Sequence, residues 1–404
     1  MAGSIADGGT DLPVIPLPRA SGCPLAPPPE FTQWRRSPGL QRATWQGKPV
    51  WVVSRYEDIR AALTDSRLSA DTNSMWAEAQ SSEEAMPVIF ARIDDPEHNR
   101  LRRMMTRDFT FRRADEMRPR IQELVDQYID KMVEHGPPAD LVHDFALPVP
   151  SLVISVLLGV PDADLESFQH NSTTVLDSGR SDEERLVAGM GMYGYMLELV
   201  DRKEREPGDD LISRLVTNHV VPGELSRETA AMTAMIMLQA GHETTASMIA
   251  LGALALMQHP DDLARLRTTE DNTEIANIVD ELLRYLTVVH SLVERVAKED
   301  FTLGGQPIRA GDLVLMNLPA GNWDTAYTSG PETFDIARNT RGHLAFGYGA
   351  HQCIGQNLAR AELQIALATL VRRLPGLRLA VSPDDLQFQA QKEIYGVECL
   401  PVTW

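Results

Sequence analysis

The chain has 404 residues, of which 43% are hydrophobic and 24% charged. These fractions are typical of globular proteins, so collagen-like, disordered and disulfide-scaffold proteins are excluded, and the length allows a large core. The formal net charge is −19, so the average surface disfavours nucleic acid and anionic membranes as partners. Three scattered cysteines indicate a reducing compartment, and we expect a cytoplasmic protein.

The first 30 residues are rich in proline and contain no apolar run of signal-peptide length. We expect an extended lead-in over residues 1–30 rather than a domain. No later apolar run is both long and uninterrupted enough to cross a bilayer, so the sequence predicts no membrane anchor.

Regular secondary structure is predicted after the lead-in. The β-branched run at residues 49–54 predicts a strand, and helical spacing follows over Tyr56–Thr64. Apolar residues then recur every three or four positions over residues 98–133 and 184–206, which indicates amphipathic helices.

Residues 226–260 form the most informative helical pattern. Ser226 is a good N-cap and Pro260 marks the end, so about 33 residues give a helix roughly 50 Å long. Apolar residues cover nearly all of its faces, so the helix should be buried. The polar group at residues 241–245 would then lie inside the core, where it must serve a purpose.

Two interpretations of this polar group follow from the residues alone. In the first, Thr244 or Thr245 bonds to the carbonyl four residues earlier and produces a local kink. In the second, His242 and Glu243 begin a zinc-protease motif. The second is excluded because Ala246 occupies the position of the motif's other histidine.

Short extended segments return after the long helix. Gly304-Gly305 is typical of a hairpin turn within residues 302–315. Strands do not alternate with helices, so a doubly wound sheet is disfavoured. The sequence therefore predicts a mainly α protein with small β-sheets, of the α+β class.

A glycine-rich loop surrounds Cys353. Gly347, Gly349 and Gly355 bracket the cysteine, and a helical pattern follows over residues 354–373. We therefore expect Cys353 at a helix N-terminus, where free N–H groups favour a thiolate. The glycines would let a large flat ligand approach the backbone closely.

Three other interpretations of this loop remain open. A lone cysteine is usually an inert, buried hydrophobic residue. His343, His351 and Cys353 together offer a zinc site, although the second cysteine pair of common zinc motifs is missing. A nucleotide-binding loop would need a third glycine at position 352, where the chain has Gln352.

At this loop the sequence resembles the cytochrome P450 family. The segment Phe346-Gly-Tyr-Gly-Ala-His-Gln-Cys353-Ile-Gly is similar at each defining position to the family's haem-binding loop. Residues 240–245 resemble its oxygen-activating motif, and Glu281-Leu-Leu-Arg284 precedes the cysteine at the family's distance. The resemblance implies a cytochrome P450 fold with haem between the long central helix and the cysteine loop, in a single haem domain over residues 1–404.

The resemblance also assigns roles to individual residues. Cys353 would ligate the iron of haem b as a thiolate, which donates electron density and promotes O–O bond cleavage. Thr244 would orient a protonated oxygen or a water, and Glu243 would relay protons with help from His242 and Thr245. The other cofactor-binding residues implied are His98, Arg102, Arg295 and His351 for the propionates, with Phe346, Gly347, Ala240 and Gly241 around the ring.

Two further segments have structural meaning in the family. Glu281 and Arg284 bind the arginine of a later segment, which here resembles Phe334-Asp-Ile-Ala-Arg338. That role is structural, not catalytic. Asn322-Trp323-Asp324 departs from the family's usual Asn-Arg-Asp, which concerns local loop contacts and not the haem site.

The resemblance implies a monooxygenase that uses O2 to hydroxylate or epoxidise a hydrophobic small molecule of macrolide, sterol, terpenoid or xenobiotic type. The alternatives are a peroxide-driven or oxidative-coupling haem enzyme and, outside enzymes, a non-catalytic haem-binding sensor. The intact Glu243-Thr244 pair favours dioxygen use. The substrate pocket would comprise residues 75–93 and 168–186, Met237 and residues 288–293, with His290 and Ser291 as polar groups.

Electrons must come from a separate protein, because the haem domain occupies the whole length. A ferredoxin with an NAD(P)H ferredoxin reductase is the expected donor. Its docking site would be the basic strip between Arg100 and Arg113, which stands out on an acidic protein. We expect a monomer that binds neither nucleic acid nor membrane.

Overall fold

The computed structural model describes residues 12–20, 22–72, 89–165, 168, 171, 174 and 181–404. Helices predominate in these residues and the strands form small sheets, which confirms the predicted α+β class. The α-helices described are α1 (Glu30–Arg36), α2 (Tyr56–Thr64), α3 (Glu97–Thr106), α4 (Phe111–His135), α5 (Pro148–Leu158), α6 (Asp182–Arg205), α7 (Leu211–Leu215), α8 (Arg227–Gln258), α9 (Pro260–Thr268), α10 (Asn272–Leu286), α11 (Leu318–Asn322) and α12 (Gln356–Arg373).

The strands form a six-stranded sheet in the order β1-β2-β3-β9-β6-β4, a three-stranded sheet β10-β11-β5 and the hairpin β7-β8. The strands are β1 (Val14–Ile15), β2 (Gln41–Trp45), β3 (Lys48–Val53), β4 (Leu68–Ser69), β5 (Ala139–Asp140), β6 (Glu294–Ala297), β7 (Phe301–Leu303), β8 (Gln306–Ile308), β9 (Leu313–Met316), β10 (Arg378–Leu379) and β11 (Pro401–Thr403). The predicted hairpin is confirmed, since Leu303 pairs with Gln306 across the two glycines.

The proline-rich lead-in is more than an extended segment. Within it, β1 pairs in parallel with β2 and forms one edge of the six-stranded sheet. α1 begins at Glu30, where the lead-in was expected to end. The N-terminal segment is therefore built into the fold from residue 14 onward.

The long helix predicted over residues 226–260 is α8. Ser226 Oγ accepts from Thr229 N at 3.1 Å and caps the helix, whose 32 residues span roughly 48 Å. Apolar faces let α8 pack against α5, α6, α10 and α12, so most of its length is buried. Its middle is the exception, because Ala240 is exposed and Thr244 half-buried, which reveals an opening inside the protein. No helix in the described ranges, α8 included, combines the length and apolar character needed to cross a membrane.

The helical pattern over residues 98–133 is interrupted in the structure. α3 ends at Thr106, a 3-10 turn follows over Arg107–Phe109, and α4 begins at Phe111. Thr110 is extended, and its side chain accepts from Arg113 N, so it caps α4. The apolar spacing alone predicts one continuous helix, and the capping residue Thr110 divides it into α3 and α4.

A buried ionic network ties α10 to the segment that leads into the cysteine loop. Arg284 donates to both carboxylate oxygens of Glu281, at 2.7 and 2.8 Å, and Arg338 Nε lies 3.4 Å from Glu281 Oε1. Arg284 also donates to the Asn322 carbonyl at 3.1 Å, and Asn322 Oδ1 accepts from Leu344 N at 2.6 Å. The three-residue contact has the structural role that the resemblance implied.

Trp323 stands where the family commonly has arginine, and the fold accommodates it. Its ring stacks on Tyr285 with centroids 5.1 Å apart, and Trp323 Nε1 donates to the Tyr285 carbonyl at 2.9 Å. The tryptophan therefore packs against the C-terminal turn of α10, and its one polar atom has a partner.

Candidate active site

The cysteine loop is held in shape by its glycines and one backbone contact. Cys353 N donates to the Phe346 carbonyl at 2.9 Å and closes the loop. Gly347 and Gly349 have φ angles of 68° and 78°, where other residues are strained. A Cβ at Gly349 would lie 2.9 Å from Leu63 O, whereas a Cβ at Gly347 would meet no described atom within 4 Å. The loop therefore presents a face without side chains near Cys353.

Cys353 lies three residues before α12, and its side chain is accessible. Burial nevertheless raises the pKa of its thiol, so the accessible surface borders an opening inside the protein. The N–H groups of Gly355 and Gln356, with the charges of Arg102 and Arg360, act in the opposite direction. The predicted thiolate is thus not favoured by the protein alone, because burial outweighs the helix terminus. A metal ion would deprotonate the thiol on coordination.

Four basic side chains gather next to Cys353. The rings of His98 and His351 stack with centroids 3.8 Å apart. Arg102 and Arg295 each donate to a backbone carbonyl at 2.7 Å, and their charges act on both imidazoles. Since these residues come from α3, β6 and the cysteine loop, the fold brings together all four residues predicted for the propionates.

The positive charge of this basic cluster is only partly balanced by the protein: Asp95 Oδ1 lies 3.3 Å from His98 Nδ1, and Glu294 and Asp94 act on Arg295 without an ion pair within 4 Å. Burial, Arg295 and His98 lower the pKa of His351 to about 4. Within the described residues, no carboxylate lies within 4 Å of Arg102 or Arg295, and His98 Nε2 is buried without a hydrogen-bond partner. Buried cations and unpaired polar atoms are costly, and an anion can offset both by pairing with the arginines and favouring a protonated His98 ring. The cluster therefore suits a ligand with carboxylate groups.

α8 borders the opening with Ala240 and Thr244. Thr244 Oγ1 donates to the Ala240 carbonyl at 2.7 Å, which is the local bond of the kink interpretation. This bond uses the hydroxyl hydrogen and leaves both oxygen lone pairs free to accept. Gly241 is half-buried, and a Cβ there would lie 3.3 Å from Ile154 Cδ1, so the absence of a side chain also allows the close contact with α5. The local bond and an accepting role for Thr244 are therefore compatible.

Glu243 is a half-buried carboxyl group in contact with a cation. Burial raises the pKa of Glu243, whereas Lys392 and Arg185 lower it. Lys392 Nζ lies 3.9 Å from Glu243 Oε1. A carboxyl group with a raised pKa at the edge of an opening can take up and release protons. His242 differs, because burial lowers its pKa to about 4 and keeps its ring neutral.

The zinc interpretation of the cysteine loop finds no geometry to support it. His343 Nε2 lies 3.6 Å from Asp280 Oδ1 and 3.3 Å from Arg360 Nη2, and its neighbours therefore differ from those of His351. No group of three or more His, Cys, Asp or Glu side chains within residues 12–20, 22–72, 89–165 and 181–404 is arranged to hold a metal ion. A single cysteine ligand suits a metal whose other ligands belong to a cofactor.

Two residues of the site have no counterpart in the sequence predictions. Arg360 stacks over the Phe346 ring, 4.6 Å from its centroid, and its charge lowers the pKa of the Cys353 thiol. Its position two turns beyond Cys353 on a predicted helix was an available signal. Lys392 reaches Glu243 from the C-terminal loop, and no local pattern links two residues so far apart in the chain.

The predicted substrate pocket is described only in part. Residues 75–88 and most of residues 169–180 lie outside the described residues. Met237 is buried in α8. Of the two polar candidates, His290 Nε2 lies 2.6 Å from Arg19 Nη2, and Ser291 Oγ is buried with no partner among the described atoms.

These features together fit an iron porphyrin. The Cys353 thiol offers one metal ligand, and the basic cluster offers cations and an unsatisfied ring nitrogen for two propionates. Gly347 on one side and Ala240 on the other leave the faces of a flat ring uncovered.

Comparisons with known proteins reach the same conclusion. The Cytochrome P450 family profile matches residues 31–182 and 194–377. Cytochrome P450-SU2 of Streptomyces griseolus is 45% identical over 400 residues, which cover 98% of each chain. The crystal structure of GfsF, a cytochrome P450 of Streptomyces halstedii, has a TM-score of 0.90 and 43% identity over 97% of this chain and 100% of that one.

A further related structure contains a bound ligand. Mycinamicin VIII C21 methyl hydroxylase MycCI from Micromonospora griseorubida, bound to mycinamicin VIII, has a TM-score of 0.86 and 38% identity over 97% of this chain and 100% of that one. The matched residues of the family profile include α3, the middle of α8 and the whole cysteine loop. Because the similarity extends over both the fold and every element that borders the opening, the chain belongs to the cytochrome P450 family of haem-dependent monooxygenases.

Proposed function

We propose that residues 1–404 form one haem domain that uses O2 to hydroxylate or epoxidise a hydrophobic small molecule. The observation that carries the proposal is a basic cluster whose two arginines lack a carboxylate partner among the described residues, beside an accessible cysteine in an internal opening. Bound haem b would supply an electron-rich, thiolate-ligated iron that activates dioxygen. The chain's own residues bind the cofactor, exclude water and deliver protons.

The cofactor would be held at two points. Cys353 Sγ is the metal ligand, and the N–H groups of Gly355 and Gln356 that reach the sulfur stabilise its negative charge. The basic cluster binds the two propionates, and His98 Nε2 gains the partner it lacks within the protein.

Reduction under carbon monoxide tests the cofactor assignment. We expect the wild-type protein to show the Soret band of a thiolate-ligated haem and Cys353→His to lose it. Cys399→Ser is the matched control, because Cys399 is accessible but its neighbours are Asp140 and Asp144. A wild-type protein without the thiolate band would refute the proposed function.

Protons would travel from Glu243 to Thr244. Burial raises the pKa of Glu243, which makes the carboxyl group easier to protonate, and the nearby Lys392 is partly exposed and opens the route to solvent. Thr244 Oγ1 donates to the Ala240 carbonyl, so its lone pairs accept a hydrogen bond from a water and hold that water in place.

Thr244→Ala tests this route. We expect product formation to fall at least about tenfold and hydrogen peroxide release to rise, because the water that delivers protons is no longer held in place by Thr244. NADH consumption should change far less than product formation. Thr233→Ala is the control, since Thr233 is the same residue type, buried in α8 about three turns earlier. Unchanged product and peroxide in Thr244→Ala would contradict the assignment.

We propose a hydrophobic substrate of macrolide, sterol, terpenoid or xenobiotic type. The similarity to a hydroxylase of mycinamicin VIII supports a macrolide-sized molecule. A library of such compounds, screened for the ferric spin-state change on binding, would identify the class directly. A haem-binding sensor is distinguished from a monooxygenase by the absence of any product under turnover conditions.

A ferredoxin is the proposed electron donor, and α3 with the turn after it provides its docking surface. Arg103 and Arg107 are exposed and have no ion-pair partner among the described residues. Arg112 and Arg113 are less available, because both pair with Glu116. The exposed Phe111 adds an apolar contact beside them.

Charge reversal tests the docking surface. Arg103→Glu with Arg107→Glu should lower the rate of electron transfer from an acidic ferredoxin at least about tenfold and weaken its salt dependence. Arg120→Glu is the control, since Arg120 is exposed further along α4 and pairs with Glu123. Equal rates in all three proteins would remove the surface from the proposal.

A further inference from the structure

Arg19, in the N-terminal segment, makes contacts that the resemblance does not explain. Arg19 Nη1 donates to two carbonyls of its own segment, at 3.1 and 2.7 Å. Arg19 Nη2 donates to the Leu286 carbonyl at 3.3 Å and to His290 Nε2 at 2.6 Å. Its Cζ lies 3.7 Å from the centroid of the Tyr395 ring. One side chain thus joins the N-terminal segment, the end of α10 and the C-terminal loop.

This contact needs a neutral imidazole. Among the described residues no carboxylate lies within 4 Å of Arg19, so carbonyl dipoles, the ring face of Tyr395 and the lone pair of His290 hold its charge. Burial lowers the pKa of Arg19 to about 10, and Tyr395 and Tyr285 raise it, so the guanidinium stays charged at neutral pH. Burial and Arg19 lower the pKa of His290, which can therefore accept through Nε2.

The two segments that Arg19 contacts are themselves paired. Backbone hydrogen bonds of 2.9 and 2.8 Å and an antiparallel bridge join residues 288–290 to residues 393–395. The rings of His290 and Tyr395 stack with centroids 5.1 Å apart. Arg19 bonds to the first ring and covers the second, so it clamps the pair from the N-terminal side.

Both segments continue into the active site. The first leads into β6, which carries Arg295 of the basic cluster. On the second, Lys392 Nζ lies 3.9 Å from Glu243 Oε1. A Cβ at Gly396 would lie 2.9 Å from Ser247 Oγ, so the C-terminal loop packs against α8 next to the proposed catalytic pair. The clamp therefore lies where the propionate side and the proton-delivery side of the site are joined.

We propose that Arg19 is a positioning residue for the reaction: by clamping residues 288–290 against residues 393–395, it fixes one wall of the substrate opening and the approach of Lys392 to Glu243. Arg19 acts through His290 and Tyr395 rather than by contact with substrate or cofactor. The proposal rests on the proposed function, because it takes the internal opening as the haem and substrate site.

Azole binding to the ferric holoenzyme tests the clamp. Arg19→Met keeps most of the side-chain length and removes the guanidinium. Ketoconazole, which must fill the opening, should bind Arg19→Met with a dissociation constant raised about tenfold. Imidazole, which needs only the metal position, should bind wild type and variant within about twofold of each other. An unchanged or lower constant for ketoconazole overturns the proposal.

Three further variants separate positioning from general damage. His290→Gln offers an amide oxygen to Arg19 and should bind ketoconazole several-fold more tightly than His290→Leu. His290→Leu offers no acceptor and should resemble Arg19→Met. Arg42→Met is the matched control, because Arg42 also stacks on an aromatic ring, 4.5 Å from the centroid of Trp51, away from the clamped segments. If Arg19→Met does not fold, the two His290 variants decide, and equal constants for them overturn the proposal.

Hydrogen exchange supplies a readout that needs neither substrate nor turnover. In Arg19→Met the amides of residues 393–397 should exchange faster, while those of α12 should be unchanged. Equal exchange in wild type and variant overturns the clamp. The outcomes also separate the two proposals. If the wild-type protein lacks the thiolate band, the proposed function is refuted. If wild type and Arg19→Met both show that band and bind ketoconazole equally, only the proposed role of Arg19 is refuted.

Discussion

The network around Glu281 and the basic cluster around Arg295 are both buried and both gather basic side chains, but only in the first does each guanidinium lie within 4 Å of a carboxylate. In the cluster, Asp95 lies 3.3 Å from His98 Nδ1, and among the described residues neither arginine has a carboxylate that close. In the network, Arg284 reaches both oxygens of Glu281 and uses its remaining donors on backbone carbonyls. In the basic cluster, Arg295 and Arg102 find only backbone carbonyls, and His98 Nε2 finds nothing among the described atoms. A complete ionic group holds a fold together, whereas an incomplete one marks where an anion binds.

Among substitutions in the network and the basic cluster, removal of the Glu281 carboxylate should lower the stability of the fold most. Glu281→Gln leaves two buried guanidinium groups without a carboxylate, which should cost about 3–5 kcal/mol of stability. We expect little soluble, haem-loaded protein and a large fall in the denaturant midpoint of what remains.

Glu97→Gln is the control for that substitution. Glu97 has the same spacing from Arg100 that Glu281 has from Arg284, and the Glu97–Arg100 pair is 2.6 Å long but nearly half-exposed. It should contribute less than about 1 kcal/mol, because water screens the pair. Equal losses from the two substitutions would show that burial does not distinguish the network.

In the basic cluster the effect of a substitution on stability should have the opposite sign. Arg295→Gln removes a buried cation that has no carboxylate within 4 Å among the described residues, so the haem-free protein should be as stable as wild type or more so. Haem should be lost about tenfold faster, because one propionate loses a charged hydrogen bond.

Two measurements check Arg295→Gln. Denaturation of the haem-free protein gives the stability, and transfer of haem to apomyoglobin gives the retention. A fall in stability comparable to that of Glu281→Gln would place the cluster with the structural network and remove the contrast.

The sequence predicts those features of the fold that depend on interactions between neighbouring residues. Ser226 and Pro260 mark the ends of α8 to within two residues, because a cap and a helix breaker act within one turn. The glycines of the cysteine loop have the positive φ angles that only glycine adopts easily. The network of Glu281 was recognisable only through the family resemblance, since the same spacing at Glu97 is an ordinary surface pair.

Local sequence patterns do not predict the features of the site that depend on tertiary packing. The helix terminus predicts a thiolate at Cys353, but burial raises the pKa of the thiol, and burial depends on the whole fold. Gly241 is predicted to leave space for a ligand, and the structure adds a close approach to Ile154 of α5 that no local pattern indicates. Lys392 reaches Glu243 through the packing of a distant loop, and the sequence contains no local trace of that contact.

Acid should separate the haem-free protein from the haem-loaded one. Burial lowers the pKa of His351 and of His98, so the folded chain holds both imidazoles neutral. Below the ordinary histidine pKa of about 6.5, the unfolded chain therefore binds more protons than the folded one. Stability that is fully present above pH 6.5 is lost as the pH falls toward the folded pKa of His351, about 4.

Melting curves at fixed ionic strength check this effect. Between pH 7 and pH 5 the haem-free protein should lose on the order of a few degrees more in Tm than the haem-loaded one, because propionates favour the protonated imidazoles. His242 and His290 are also buried and neutral, but they contribute equally to both forms. Parallel curves for the two forms would argue against carboxylates at the basic cluster.

The smallest effect should come from a change that keeps charge and alters geometry. Arg102→Lys retains a cation in the basic cluster, where flexible propionates can follow it, so haem retention should change by no more than about threefold. Arg284→Lys retains a cation in the network, but a lysine cannot reach both oxygens of Glu281 and the carbonyl of Asn322 together.

Arg284→Lys should therefore destabilise the fold measurably while Arg102→Lys does not, with denaturant midpoints as the readout. A binding cluster requires charge in the right region and leaves part of the geometry to its ligand. A structural network supplies both partners itself, so each donor must meet an acceptor that is already fixed. If Arg102→Lys lowered stability as much as Arg284→Lys, the main role of the Arg102 guanidinium would be its hydrogen bond to the Gln352 carbonyl in the cysteine loop, and not the binding of a propionate.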